Sequence, residues 1–142
     1  RPAISFIANT IYGEKYATMK MKHYHVEKPG LLETCYGWKY KDKWNKLSAE
    51  SDKKSLPMRI NSEEEFIAEH YWGYTQNAKG QTYEYEVNHP RWEIFKVLKH
   101  TIHCDFKGIY GDTFSFLNNT EPSSVFMAKG SEVRIHRKKI LP

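Results

Sequence analysis

Ala68-Glu-His-Tyr-Trp-Gly-Tyr-Thr-Gln-Asn-Ala-Lys-Gly-Gln-Thr-Tyr-Glu-Tyr-Glu-Val-Asn-His-Pro-Arg-Trp92 decides the fold. It reads as a β-hairpin. Both arms are rich in aromatic and β-branched residues, and Asn77-Ala78-Lys79-Gly80 between them carries turn chemistry. A four-residue loop sets Gln76 opposite Gln81, Trp72 opposite Tyr85 and Tyr74 opposite Tyr83, with four large rings on one face. Cross-strand aromatic pairs of this kind contribute about 0.2–1 kcal/mol each beyond an Ala–Ala pair. The other face then carries Tyr71, Gly73 and Thr75 against Thr82, Glu84 and Glu86. A slip of a single residue exchanges the two faces, so everything placed on them depends on the loop.

Glu84 and Glu86, on one side of a strand, are the nearest the chain comes to paired carboxylates, and Tyr71, His70 and His89 lie beside them in this register. Two readings stand. One is a solvated acidic edge below a packed aromatic core. The other is a polar pocket lining in which acid, phenol and imidazole converge on a ligand. Trp72, Tyr74, Tyr83, Tyr85 and Trp92 serve as core or as the apolar walls of such a pocket, with core favoured.

Composition narrows the class. A chain of 142 residues suits a single domain, 1–142, with one core. Its 39% hydrophobic and 27% charged residues are those of a folded chain rather than a disordered one. Ten Tyr and four Trp favour sheets and pockets over helical bundles. No run approaches the roughly 18 apolar residues of a membrane span, and no signal peptide is visible, so a cytoplasmic protein is expected. Cys35 and Cys104 lie in no metal-like spacing and read as a reduced pair. The first residue is Arg1 rather than Met, which points to a processed or truncated product.

The net charge is +5. A basic chain can bind nucleic acid through phosphates, but here Lys39, Lys41, Lys43 and Lys46 alternate along strand-like sequence and Glu63-Glu64-Glu65 interrupts the basic residues. No nucleic-acid partner and no membrane partner is expected.

Taken in order, residues 2–10 form a short helix that Gly13 stops, and residues 17–26 alternate as a half-buried strand. Residues 32–40 and 44–49 form a second hairpin around Lys41-Asp42-Lys43, and 51–56 is polar linkage. Ser62 with Glu65 three residues on is a capping box opening a short helix. After a corner at His89-Pro90-Arg91-Trp92 come strand-like 93–98 and 101–104, then a helical or irregular excursion over 105–117 broken at Gly111. Residues 124–128 and 132–136 make a last strand pair. The sum is an α+β chain, mainly antiparallel β.

Other chemistries find little footing. His23-x-His25 and His100-x-x-His103-Cys104 supply donors, but a metal needs a third and fourth ligand to converge, so no metal or cofactor is expected. There is no G-x-S-x-G elbow and no phosphate loop. Nothing marks Cys35 as an activated nucleophile. A Schiff-base lysine needs desolvation or a neighbouring cation. Lys53-Lys54 and Lys138-Lys139 sit in polar contexts, while Lys15 is better placed, in a Gly-marked turn opening a strand.

Three runs carry a resemblance. Glu69 to Thr75 with Glu84 to Trp92, the tail Glu121 to Val133, and the opening Ile11 to Met21 are similar to segments of the YqjF-like family of uncharacterised proteins, the DUF2071 group. They follow the family's order and span nearly the whole chain. The resemblance implies the acetoacetate decarboxylase-like fold, a cone-shaped antiparallel barrel around a small-molecule cavity. It also implies that this chain begins about midway through a family member, so that the missing N-terminal segment or another copy of the chain completes the sheet. In the decarboxylases a Gly-Phe-Pro-Lys-Lys-like turn carries the reactive lysine. The comparable turn here is Gly13-Glu14-Lys15-Tyr16-Ala17, with Tyr16 where that lysine belongs and Lys15 one position off.

The reading is therefore a barrel that binds a small, partly apolar ligand without Schiff-base decarboxylase activity. Tyr12, Tyr16, His70, Tyr71, Glu84 and Glu86 are its expected polar lining, and Glu86→Gln is expected to weaken binding while leaving the fold intact. The alternatives are a lyase- or hydrolase-type enzyme using Glu86 or Glu84 with Tyr71 or His70 as acid–base pair, and a module that associates through an open sheet edge.

Overall fold

The computed structural model describes residues 2–13, 16–77 and 79–142. Glu14 and Lys15, and with them the lysine of the Gly-marked turn, lie outside the described residues. All strand pairs are antiparallel, and the chain divides into two compact units.

One unit comprises Met19–Pro57 and Glu93–Lys129. Its sheet has five strands in the order β1-β2-β3-β6-β7 and is curled like half a barrel. β1 (Lys20–Lys28), β2 (Leu31–Tyr40) and β3 (Lys43–Pro57) form a meander joined by two tight turns, Pro29-Gly30 and Lys41-Asp42. β6 (Glu93–His103) pairs with β3, and β7 (Phe126–Ala128) with β6. Burial is confined to the central strands, where Thr34, Cys35, Asn45 and Ser51 are closed to solvent.

Three expectations change here. β1 is exposed along its whole length rather than half-buried, because it is the sheet's edge and neither of its faces is covered. The polar run 51–56 is not linkage but the second half of β3. Strand pairing uses backbone groups, which polar residues supply as well as apolar ones, and Asp52, Lys53 and Lys54 fall in the register break between Ser51 and Ser55. Residues 93–98 and 101–104 are one strand, β6, carried through that irregularity. The excursion after β6 is as read: α3 (Phe106–Tyr110), capped by the Asp105 carboxylate on the Gly108 N–H at 2.8 Å, then Gly111 and a 3-10 stretch, Asp112–Asn119.

The other unit comprises Arg1–Thr18, Met58–Trp92 and Gly130–Pro142. α1 (Pro2–Ile7) continues as a π-helical turn, Ala8–Tyr12, ended by Gly13. α2 (Glu63–Ala68) leads into the hairpin β4 (Trp72–Gln76) and β5 (Thr82–Asn88). The short strands β8 (Arg134–Ile135) and β9 (Lys139–Ile140) both pair with β5. The last strand pair expected from sequence therefore does not form: 126–128 joins β6 and 134–135 joins β5.

The hairpin is present, but its register is one residue from expectation. Trp72 lies opposite Glu86, Gly73 opposite Tyr85, Tyr74 opposite Glu84 and Thr75 opposite Tyr83. The cause is Asn77. Its N–H donates to the Gln81 carbonyl at 3.1 Å, which makes Asn77 and Gln81 the closing pair and leaves a three-residue connection, 78–80. Its side-chain oxygen accepts from the N–H groups of Lys79 and Gln81, and its amide nitrogen donates to Gln81 Oε1 and the Tyr83 hydroxyl. Gly80 takes the positive φ, 79°, that such a connection requires. A second lock is Gly73, where a Cβ would stand 2.2 Å from Tyr85 Cζ, so the ring occupies the space a side chain would need.

The four rings are thus divided. Trp72 and Tyr74 share a face with Glu84 and Glu86 and are largely exposed, while Tyr83 and Tyr85 lie on the other face. There Tyr12 meets Tyr85 edge-on at 5.3 Å, Thr75 donates to the Gly13 carbonyl at 3.3 Å, and Lys138 Nζ sits 3.7 Å over the Tyr83 ring.

Candidate functional site

Polar groups converge where α2 meets the base of the hairpin. Ser62 caps α2 by accepting the Glu65 N–H at 3.2 Å. The returning carboxylate of the capping box goes one residue further back, accepting the Asn61 N–H at 2.6 Å. Glu65 also forms an ion pair with Arg91, whose other terminal nitrogen donates to the Met58 carbonyl at 3.2 Å. The Asn61 N–H, then Arg91, hold the Glu65 carboxyl below its ordinary range.

Glu69 makes the second half of the arrangement. It accepts from the Tyr71 hydroxyl, and from the Trp92 N–H at 3.4 Å. That carboxylate pushes the Tyr71 phenol up, so Tyr71 stays a proton donor across the ordinary pH range. His89 is stacked between Tyr71 and Trp92, with ring centroids at 4.9 and 4.3 Å. Trp92 Nε1 donates to Ser131 at 2.8 Å. His70 meets the Phe66 ring edge-on at 5.9 Å.

Glu65, Phe66, Glu69, His70, Tyr71 and Arg91 line an open cleft of about 620 Å³. Its volume falls within the range of small-molecule sites, roughly 300–1,000 Å³. One wall offers an apolar ring and the others a phenol, an imidazole, two carboxylates and a guanidinium, so hydrogen bonds can be given and accepted over a short span.

Only two of the six expected lining residues, His70 and Tyr71, lie on this cleft. Glu84 and Glu86 lie on the exposed hairpin face; Glu84 accepts from the Tyr74 hydroxyl and raises that phenol, and Glu86 faces Trp72. Tyr12 lies under Tyr85 and its hydroxyl donates to the His136 carbonyl at 3.4 Å. Tyr16 is 57% exposed, its backbone N–H and carbonyl both bonded to the Asn9 side chain. Sequence reasoning missed Glu65, Glu69 and Arg91 as site groups. The signal was present, since the capping box contains Glu65 and the quoted hairpin is flanked by Glu69 and Arg91.

The other donor sets stay apart. Among the described residues no three His, Cys, Asp or Glu side chains are grouped to hold a metal ion. Both cysteines are free thiols. Cys35 is buried, closed to a substrate, and burial pushes the Cys104 thiol up, away from thiolate. Among the described residues no helix is long and apolar enough to cross a membrane.

The family model of DUF2071, described as an uncharacterized conserved protein, matches residues 1–132. No curated protein and no solved structure matches the chain.

Proposed function

We propose that this chain, which belongs to the DUF2071 family, binds a small, partly apolar molecule and performs no Schiff-base decarboxylation. One observation carries the reading. A phenol held protonated by Glu69, an imidazole and the Arg91–Glu65 pair line a cleft of about 620 Å³ beside the Phe66 ring. Among the described residues no lysine lines that cleft. A desolvated amine is the electron sink that decarboxylation of a β-keto acid needs, and fold analogy cannot supply one.

The finer fold, an acetoacetate decarboxylase-like barrel, is part of this proposal. Antiparallel pairing throughout and a curled half-barrel sheet support it. A half-barrel leaves room for a further strand, such as one from another copy of the chain, to complete the sheet, and we propose a cytoplasmic protein with no nucleic-acid or membrane partner. The acid–base alternative expected from sequence, Glu86 or Glu84 with Tyr71 or His70, changes its base: Tyr71 is kept as the acid and Glu69, its contact partner, replaces Glu84 and Glu86.

A thermal-shift screen of small molecules bearing one polar and one apolar end tests the reading. A ligand present at a hundredfold its Kd adds about 2.7 kcal/mol to the folded state. The expected result is a hit whose shift is abolished by Arg91→Ala and reduced by Tyr71→Phe. Glu86→Gln separates the hairpin face from the cleft: a ligand confined to the cleft keeps its affinity, and weakened binding extends the site onto the acidic face. Borohydride with a β-keto acid should leave the protein's mass unchanged. A reduced adduct overturns the absence of Schiff-base chemistry, and hits that ignore Arg91 and Tyr71 overturn the cleft.

A further inference from the structure

The five-stranded sheet holds a second cavity, wholly within its own unit and independent of the cleft. Cross-strand partners share a face, so pairing places two rows side by side. One runs His25, Thr34, Ala49, His100 and the other His23, Tyr36, Leu47, Ile102. The segment through Val125, Phe126 and Met127 shares with residues of these rows the lining of a groove of about 320 Å³. That is about ten water molecules' share of liquid volume. Most of its exposed lining is apolar, and among the described residues no Asp, Glu, Lys or Arg lines it.

A relay of hydrogen bonds ends at this groove. Thr34 Oγ1 lies 3.1 Å from His25 Nδ1, and the Tyr36 hydroxyl 3.5 Å from His25 Nε2. Thr34 is only 4% exposed, which fixes the inner end. A neutral imidazole has one donor and one acceptor nitrogen. With the proton on Nε2, Thr34 donates to Nδ1, Nε2–H donates to the Tyr36 oxygen, and the Tyr36 O–H is left to point at an occupant. The His23 ring stacks on Tyr36 at 6.1 Å, and His100 lines the groove from the far end of the first row.

Of the nearby acids, Glu27, on the same face of β1, is paired with Lys53 at 2.6 Å, and Glu121, nearly fully exposed, faces His100 Nε2 at 3.8 Å from outside the groove lining. The groove therefore offers the Tyr36 hydroxyl as a donor, held by the His25 imidazole behind it, and apolar walls for a short chain.

We infer that this groove binds a small monocarboxylate, its alkyl tail against Leu47, Ile102, Phe126 and Met127 and its carboxylate received by Tyr36 with the imidazoles beside it. Hydrogen bonds to an ionised acceptor are roughly twice as strong as neutral ones. An alcohol of the same length forgoes that gain, and an amine brings donors to a site already rich in them.

Calorimetric titration with hexanoate, hexanol and hexylamine tests the assignment. A hydrogen bond to a charged acceptor contributes about 1–1.5 kcal/mol more than a neutral one, so hexanoate should bind about five- to tenfold more tightly than hexanol. Hexylamine should be the weakest. Tyr36→Phe should bring hexanoate level with hexanol and weaken hexanol less than hexanoate, which a misfolded variant cannot do. Ile102→Trp, which fills the groove, should remove both. Equal binding of acid and alcohol, or a preference that survives Tyr36→Phe, overturns the carboxylate assignment. Failure of all three compounds at millimolar concentration overturns the groove as a site, and leaves the cleft untouched.

Discussion

The hairpin β4–β5 and the meander β1–β2–β3 are both antiparallel ladders, yet their registers are set by different means. In the meander, Pro29-Gly30 and Lys41-Asp42 each occupy two positions, and Tyr40 pairs directly with Lys43. In the hairpin, one side chain stands in for part of the ladder. Asn77 bonds to Lys79, Gln81 and Tyr83, draws Gln81 into the closing pair, and shortens the connection to 78–80. The shift is one residue, and it decides which rings face solvent and which acids accompany them. Turn chemistry thus governs where this chain can place a site.

The comparison can be broken most sharply at Gly73. A valine there puts a Cβ into the Tyr85 ring, and forcing extra volume into a packed contact costs about 1–3 kcal/mol. Urea unfolding of Gly73→Val should show that loss; an unchanged midpoint means Tyr85 does not pack as described. Asn77→Ala comes next. Each hydrogen bond contributes about 0.5–1.5 kcal/mol net, and the exposed loop recovers part of this from water, so a loss of about 1 kcal/mol is expected. Cross-strand NOEs between Tyr74 and Glu84 should weaken in that variant. If they persist at full strength, Gly73 alone fixes the register.

A smaller effect sharpens the hairpin's base. Glu65 has a depressed pKa in the folded chain, from the Asn61 N–H and then Arg91. A group of this kind adds stability above its unfolded value, about 4.5, and loses it as pH falls through the folded value. Arg91→Ala should therefore be less stable than the parent at neutral pH and converge with it in acid. A constant difference down to pH 2 rejects the pairing. The smallest effect belongs to the meander. The Tyr24 hydroxyl donates to Glu33 at 2.9 Å, and that bond pushes the phenol up to about 12. Ultraviolet titration should show a tyrosine ionising near 12, and Glu33→Gln should bring that one back toward the ordinary value of 10.0.

Much of the fold was legible because the local signals are strong. The Ser62 cap, the Gly13 stop, the Asp105–Gly111 excursion and the hairpin's existence all follow from side chains acting on their own neighbourhood. What was not legible depends on distant partners. The polar run 51–56 is a strand because β6 lies beside it, and 126–128 and 134–135 join different strands although only residues 129–133 separate them in sequence. The site was legible in part. His70 and Tyr71 were named, but Glu84 and Glu86 left the expected grouping once the register shifted, and Arg91 entered it through pairing with Glu65. The His25–Thr34–Tyr36 relay needed β1 and β2 in register, which a His-x-His pattern alone does not give.

The central claim is that the cleft at the base of the hairpin holds a small molecule. Amide NMR of the chain, titrated with the best compound from the thermal-shift screen, tests it most directly. The account predicts saturable shifts confined to residues 61–71 and to Arg91, and no such shifts in Arg91→Ala. Shifts that spare those residues, or no saturable response to any compound, would contradict it.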